Sequence, residues 1–136
     1  MKIVIFFVLC LGLFTFTNAQ MSQSEIEGQW AVKKTVTKTS SAELRGVMEG
    51  FKSAIFSFSE NGDFDLTTES KAPTFQMILR MTENTKWKFD ENTQLIRIGN
   101  EEDGYSIMGI YPKNEKGTLF FALDESNMTF EMGRIP

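Results

Sequence analysis

The chain has 136 residues, with 14 basic and 18 acidic side chains, no histidine and one cysteine. Because that cysteine is Cys10, near the start, the rest of the chain excludes Ser-His-Asp triads, thiolate metal sites and nearly all zinc chemistry. A formal net charge of −4 without a basic run argues against nucleic acid or an anionic membrane surface as the main partner.

The first nineteen residues have the pattern of a secretion signal. Lys2 supplies a positive charge, residues 3–14 form an apolar run, and small residues lead up to Ala19. The apolar run is shorter than the roughly 20 residues that span a bilayer, so an uncleaved anchor is the less favoured alternative. We expect cleavage near Ala19, export to the periplasm or the medium, and no membrane span in the mature form.

The remainder is the size of one domain. We expect a polar leader at 20–27 and a single domain at 28–136. Without cysteine in this part, no disulfide supports the fold and its core alone must hold it.

The first predicted strand covers about 28–38. Trp30, Val32 and Val36 share one parity there, and polar residues share the other. Lys34 falls on the apolar side, which indicates a strand end, a bulge or a side chain whose stem snorkels.

A short amphipathic helix is predicted next, at about 41–51. Ser40 and Glu43 have the spacing of a capping box. The apolar residues at helical spacing are Leu44, Val47, Met48 and Phe51.

A β-hairpin is predicted around Asn61-Gly62. The residues on both sides alternate between apolar and polar, and Asn-Gly favours a tight turn because both residues tolerate a positive φ. The two strands are expected at 53–59 and 63–69.

The stretch 75–81 fits two structures. We predict a strand, because Phe75, Met77, Leu79 and Met81 alternate with Gln76, Ile78 and Arg80. The alternative is a helix that begins after Pro73, since apolar residues also recur at a spacing of three and four.

Five further strands follow, separated by turn residues. They are expected at about 86–89, 95–98, 105–111, 119–123 and 128–132. Pro112 is expected to end the third of them. The acidic loop at 101–103 lacks the spacing of calcium loops, so we interpret it as a solvated turn and predict no metal and no cofactor.

About nine short strands with short connections predict an all-β fold, either a sandwich or a barrel. The hairpin-like connections favour a small up-and-down antiparallel β-barrel with one short α-helix after the first strand.

Gly28-Gln29-Trp30 in the first strand and Arg134 in the last resemble the lipocalin family. The rhythm of the segments after Tyr105 is similar to short lipocalin-like domains of exported bacterial proteins. In an even-stranded meander the last strand ends where the first begins, so Trp30 and Arg134 would meet in a cation–π contact. The resemblance implies that this pair closes one end of the barrel structurally. Lipocalins are usually longer and carry a disulfide, which implies a smaller cavity here, or none.

The inward positions are rich in Phe and Met, which suit an apolar ligand. The residues predicted to line a ligand cavity are Phe56, Phe58, Phe64, Phe75, Met77, Leu79, Trp87, Phe89, Ile107, Phe121 and Phe130. The alternative is an ordinary packed core, because an eight-stranded barrel is just wide enough to be filled by its own side chains.

We therefore expect a non-catalytic exported protein that binds a small hydrophobic, lipid-like molecule. The second hypothesis is a filled barrel that acts as a protein–protein interaction module, with Leu44, Val47 and Phe51 as a candidate exposed patch. An enzyme ranks last, because the predicted interior contains no convergent polar groups apart from Lys34.

Overall fold

The computed structural model describes residues 20–36 and 42–136. The predicted signal sequence and the capping-box residue Ser40 lie outside these ranges. Eight antiparallel strands close into a barrel in sequence order, and the last strand pairs back onto the first. The predicted up-and-down all-β barrel is confirmed, with eight strands where about nine were expected.

The described residues form the following elements. The strands are β1 (Gly28–Thr35), β2 (Ile55–Phe58), β3 (Asp63–Thr67), β4 (Thr85–Asp90), β5 (Leu95–Gly99), β6 (Met108–Glu115), β7 (Thr118–Leu123) and β8 (Thr129–Ile135). The helices are α1 (Gln23–Ile26), α2 (Ala42–Lys52) and α3 (Pro73–Met81), with a 3-10 turn at Glu101–Asp103. We call the end where β1 begins the N-terminal end, and the end where α2 and α3 connect the strands the helical end.

The α1 turn was not predicted. It forms within the segment expected to be a polar leader, and its last residue, Ile26, is fully buried. Gln94 links this segment to the barrel, because its side-chain oxygen accepts the Met21 N–H at 2.9 Å and its amide donates to the Met21 carbonyl at 3.2 Å. The segment is therefore part of the packed structure.

A β-bulge in β1 explains the irregular position of Lys34. The pairing of β1 with β8 shifts register between Val32 and Lys34, so that both Lys33 and Lys34 are exposed. After the bulge the alternation is reversed, and Val36 is 51% exposed. The predicted shared face of Trp30, Val32 and Val36 is thus wrong at its last member.

The hairpin around Asn61-Gly62 is confirmed, and its strands are β2 and β3. Gly62 has a φ of +98°, and the Asn61 side-chain oxygen accepts the Asp63 N–H at 3.0 Å. This side-chain-to-backbone bond holds the turn and leads directly into β3.

The predicted strand at 75–81 is wrong, and the helical alternative is right. Pro73 begins α3 at a position where its missing N–H has no cost. Phe75 then faces the core with Ile78 and Leu79 packed beside it, whereas Met77 points away and is 60% exposed. Both patterns are present in the sequence, and packing against α2 decides between them.

The predicted strand end at Pro112 is also wrong. Pro112 lies inside β6, buried and paired with Phe121 of β7. The pairing of β6 with β5 covers only Met108 to Ile110. Beyond Ile110, β6 pairs with β7 and has no paired residue on β5. Pro112 therefore lies where one edge of the strand is open, and an open edge tolerates the missing N–H of proline.

Helix α2 is confirmed within one residue of its predicted position. Its two glycines allow close approach to α3. A Cβ at Gly50 would collide with the Phe75 ring, and a Cβ at Gly46 would collide with the Thr74 hydroxyl. The two helices therefore pack backbone against side chain and cover the helical end of the barrel.

Candidate functional site

Aromatic rings meet across the middle of the barrel. Phe56 on β2 and Phe121 on β7 are 5.5 Å apart between ring centroids, in an edge-to-face arrangement. Phe58 lies 6.0 Å from the same ring. Strands β2 and β7 are separated by β1 and β8 in the sheet order, so these contacts bridge the interior.

The ring cluster continues toward the helical end through Phe51 of α2. Its ring centroid lies 4.8 Å from that of Phe75 on α3 and 4.8 Å from that of Phe130 on β8. It also stacks on Phe56 at 6.0 Å. Phe51 therefore joins the helical cover to the barrel core.

The cluster also extends toward β4 and the N-terminal end. Phe58 contacts Phe64 at 5.3 Å and Trp87 at 5.2 Å. The Trp30 ring lies 6.3 Å from Phe121. Tilted and edge-on contacts of this kind are the favoured geometries of packed aromatic side chains.

Most of the residues predicted to line a cavity belong to this core. Those that the structure buries are Phe56, Phe58, Phe64, Phe75, Trp87, Phe89, Phe121 and Phe130. Leu79 is partly buried and packs against the core from α3. Met77 and Ile107 do not join them.

Ile107 precedes β6, which begins at Met108. Met108 pairs with the buried Ile98 of β5 and packs against the core. Side chains alternate along a strand, so Ile107 and Gly109 belong to the outer face. The prediction that Ile107 points inward is therefore wrong, because the strand begins three residues later than the sequence pattern indicates.

Trp30 and Arg134 meet at the N-terminal end. They are cross-strand partners, and the guanidinium carbon lies 4.2 Å from the indole centroid. Arg134 also donates from Nη1 to the Glu27 carbonyl and from Nη2 to the Glu25 carbonyl, both at 2.8 Å. The Trp30 Nε1–H donates to the Ile26 carbonyl at 2.8 Å. Three donors of this pair thus bind backbone carbonyls of α1 and of Glu27, the residue that follows it.

The buried polar groups are few. Within the described ranges, the buried polar residues are Thr82 and Thr85, and both hydroxyls donate to nearby carbonyls. The Thr35 hydroxyl is buried without a hydrogen-bond partner. No group of three or more carboxylate, thiol or imidazole side chains is placed to hold a metal ion in the part of the chain that the structure describes. No helix in the described ranges is long and apolar enough to cross a membrane.

A depression of about 510 Å³ lies beside the N-terminal end. Its floor includes Met21, Trp30 and Leu119, and its rim includes Lys33 and Glu131. The floor side chains are buried, and the Arg134 donors at its edge are bound to α1. Asn114 and Thr118 also line the depression, so polar side chains surround its apolar floor.

The exposed apolar surface is concentrated on the helices. Met77 is 60% and Met81 54% exposed, and they lie four residues apart on the outer face of α3. Leu44 on α2 is partly exposed as well. The predicted patch of Leu44, Val47 and Phe51 is wrong, because Phe51 is fully buried and Val47 packs against the core.

No known protein family, no curated protein and no solved structure matches this chain. The resemblance to lipocalin-like domains therefore remains a prediction. The barrel itself rests on the strand pairing described above.

Proposed function

We propose that this domain is an exported, non-catalytic interaction module with a packed interior, which contacts a protein partner through the outer face of α3. The observation that carries the proposal is the contact of Phe56 with Phe121 across the barrel. Rings that already touch from two walls separated by β1 and β8 leave a bulky ligand no room at that level without displacing them.

The energetic cost of such displacement is substantial. Fully burying a Phe side chain stabilises a fold by about 1.5–3 kcal/mol, and ring-to-ring contacts add to it. A lipid-like ligand would have to compensate for every ring that it moved. The carrier hypothesis stays a prediction, and the packing of the described core favours the second hypothesis.

The outer face of α3 supplies a contact surface that the fold does not use. Phe75 already provides the main core contact of this helix. Met77 and Met81 make the opposite face apolar without contributing to that contact. Methionine is flexible and polarisable and is common at surfaces that adapt to a partner. A helical face with apolar residues at i and i+4 fits a groove on another protein.

The first experiment asks whether the interior is occupied. The protein is purified from its native host without detergent and examined by native mass spectrometry, followed by titration with an apolar fluorescent probe. We expect a bare mass and no probe fluorescence. A reproducible extra mass that organic solvent removes would instead establish the carrier function and would overturn this proposal.

The second experiment tests the methionine surface. A photo-crosslinking residue is placed at Met77 in the native host, and at Asp65 on the exposed face of β3 as a matched control. We expect a discrete crosslinked protein from position 77 that disappears with Met81→Lys. The partner protein identified in this crosslink is then purified and should bind the barrel protein directly. Binding should be lost when the barrel protein carries Met81→Lys and kept when it carries Asp65→Lys. Equal crosslinking from both positions would contradict a specific surface on α3.

Export is part of the same proposal and has its own test. N-terminal sequencing of the protein outside the cytoplasm should begin at or near Gln20. A chain that retains Met1 in that compartment would contradict cleavage of the predicted signal sequence.

A further inference from the structure

The methionines of the described residues divide into two groups by exposure. One group contributes to the packed interior, and its members are Met21, Met48, Met108, Met128 and Met132. Apart from Met108, which is partly buried, these side chains are 9% exposed or less. Met77 and Met81, which form the methionine surface of α3, are 60% and 54% exposed. Their thioethers are therefore far more accessible to solvent than those of the first group.

The two exposed thioethers lie on one face of one helix. They are four residues apart on α3, a spacing that places side chains next to each other along the helix surface. The core contact of α3 comes from Phe75, with Ile78 and Leu79 packed beside it. A chemical change at Met77 and Met81 therefore alters the outer face of α3 without removing a contact of the core.

Oxygen transfer from a hydroperoxide converts an apolar methionine into a polar side chain. The thioether sulfur uses a lone pair to form an S–O bond as the peroxide O–O bond breaks. The proton of the transferred oxygen passes to the leaving oxygen, so the sulfur is oxidised by two electrons and the hydroperoxide is reduced to water or an alcohol. The product, methionine sulfoxide, disrupts surfaces that depend on methionine contacts, and methionine sulfoxide reductases return it to the thioether.

From this arrangement we infer that Met77 and Met81 form a peroxide-sensitive modification site, at which oxidation to the sulfoxide releases the partner of α3. The inference rests on the proposed interaction module and names the regulation of that same surface. The barrel stays folded during the change, because the methionines that support the core are shielded from the oxidant. Reduction of the two sulfoxides restores the apolar face and with it the binding of the partner.

The first test measures the order of oxidation in the folded protein. The protein is treated briefly with hydrogen peroxide, the reaction is stopped with free methionine, and the sulfoxide at each position is quantified by peptide mass spectrometry. We expect Met77 and Met81 to react about six times faster or more than Met48 and Met128, as the ratio of 54% to 9% exposure indicates. Equal rates at the exposed and the buried positions would overturn the inference.

A leucine variant separates a switch from oxidative damage. Met77→Leu combined with Met81→Leu keeps the face apolar but removes both thioethers. Peroxide should shorten the retention of the unmodified protein on a hydrophobic-interaction column and leave that of the double variant unchanged. The thermal midpoint of both proteins should stay the same. A lower midpoint once these two positions alone are oxidised would show damage to the fold and would overturn the inference.

Binding of the partner completes the test. The protein captured by crosslinking at position 77 is titrated with the barrel protein before peroxide, after peroxide has acted and been removed, and after treatment with sulfoxide reductases. We expect the affinity to fall about tenfold or more for each sulfoxide, because a polar group replaces a buried apolar contact, and to recover with the reductases. The double leucine variant, as the matched control, should bind the partner equally before and after peroxide.

The two proposals fail in different ways. Equal binding of the partner by oxidised and unoxidised protein would contradict the switch and leave the interaction module standing. If position 77 captures no discrete protein, the interaction module fails and the switch fails with it, since oxidation then has no partner to release.

Discussion

The two ends of the barrel are closed by different kinds of contact. At the N-terminal end, closure depends on directed hydrogen bonds. Arg134 donates to the carbonyls of Glu25 and Glu27, and the Trp30 indole donates to the carbonyl of Ile26. These three donors define the position of the backbone that crosses the opening.

At the helical end, closure depends on the packing of rings and glycines. Phe51 contacts Phe75 and Phe130, and Gly50 allows α3 to approach α2 closely. Apolar contacts are strong but not directional. At the N-terminal end, hydrogen bonds therefore fix the orientation of α1 relative to Trp30 and Arg134. At the helical end, the complementary shapes of packed side chains hold the helices on the barrel. We expect any opening of the barrel to begin at the helical end.

The largest effect is expected from Phe51→Ala. Removing this buried ring takes away its contacts with Phe56, Phe75 and Phe130 and leaves a cavity under the helices. The free energy of unfolding, measured by chemical denaturation, should fall by about 3–5 kcal/mol. Leu44→Ala on the same helix, at a partly exposed position, should cost much less. Similar losses in the two variants would contradict a helical end held mainly by the Phe51 ring.

A smaller loss is expected from Gly50→Ala. In an exposed helix, replacing Gly by Ala would raise the free energy of unfolding by about 0.5–1 kcal/mol. Here the new methyl group meets the Phe75 ring, so we expect a net loss of about 1–3 kcal/mol from overpacking. Gly46→Ala meets a movable threonine hydroxyl and should be milder. A stabilised Gly50→Ala variant would mean that α3 shifts freely and that shape does not hold this end.

Arg134→Lys tests the N-terminal end. Lysine keeps the charge over the indole but cannot bind two carbonyls in the geometry of a guanidinium. The free energy of unfolding should fall by about 1–2 kcal/mol, and the Trp30 indole N–H should exchange faster with solvent. Arg80→Lys on the exposed face of α3 is the control and should change neither quantity. An unchanged indole exchange rate would show that Arg134 does not hold α1 in place.

The smallest effect concerns Asp63, which lies at the hairpin turn and belongs to neither closure. A hydrogen bond from Lys86 and the charge of that ammonium hold the pKa of the Asp63 carboxyl below its ordinary value of 3.8. Because the folded-state pKa is lowered, the stabilisation is present above the ordinary pKa and is lost as the pH falls through the lowered one. The site is fully exposed, so this contribution is screened and small. In Lys86→Gln, an NMR titration of the Asp63 carboxyl should give a higher pKa, and an unchanged pKa would contradict the pairing.

Several features followed from local patterns alone. The Asn61-Gly62 hairpin and helix α2 were predicted because each depends on residues whose geometry is locally determined. The pairing of Trp30 with Arg134 was instead expected from the resemblance to lipocalins and from the closure of an even-stranded meander. Seven of the eight buried aromatic members of the predicted set were found by period-2 alternation, which matches the pleat of a strand. The eighth, Phe75, is buried from a helix, where a strand was predicted.

Other features depended on neighbours that the sequence does not identify. The stretch 73–81 carries both periodicities, and its contact with α2 selects the helix. Pro112 continues β6 only because β5 ends its pairing at Ile110. The bulge at Lys33 leaves one mark in the sequence, the position of Lys34 on the apolar side of the strand. That mark is compatible with a bulge but equally with a strand end or a snorkelling side chain.

The sequence by itself determined the β-rich barrel, its hairpin order and the identity of most core side chains, since hydrophobic burial requires one apolar face per strand. The tertiary structure alone decided that the rings of Phe56 and Phe121 meet across the interior, that α1 covers the N-terminal end and that Lys88 stands opposite Arg97. Those contacts join residues far apart in the chain. They are fixed by strand register and barrel closure, which no local pattern encodes.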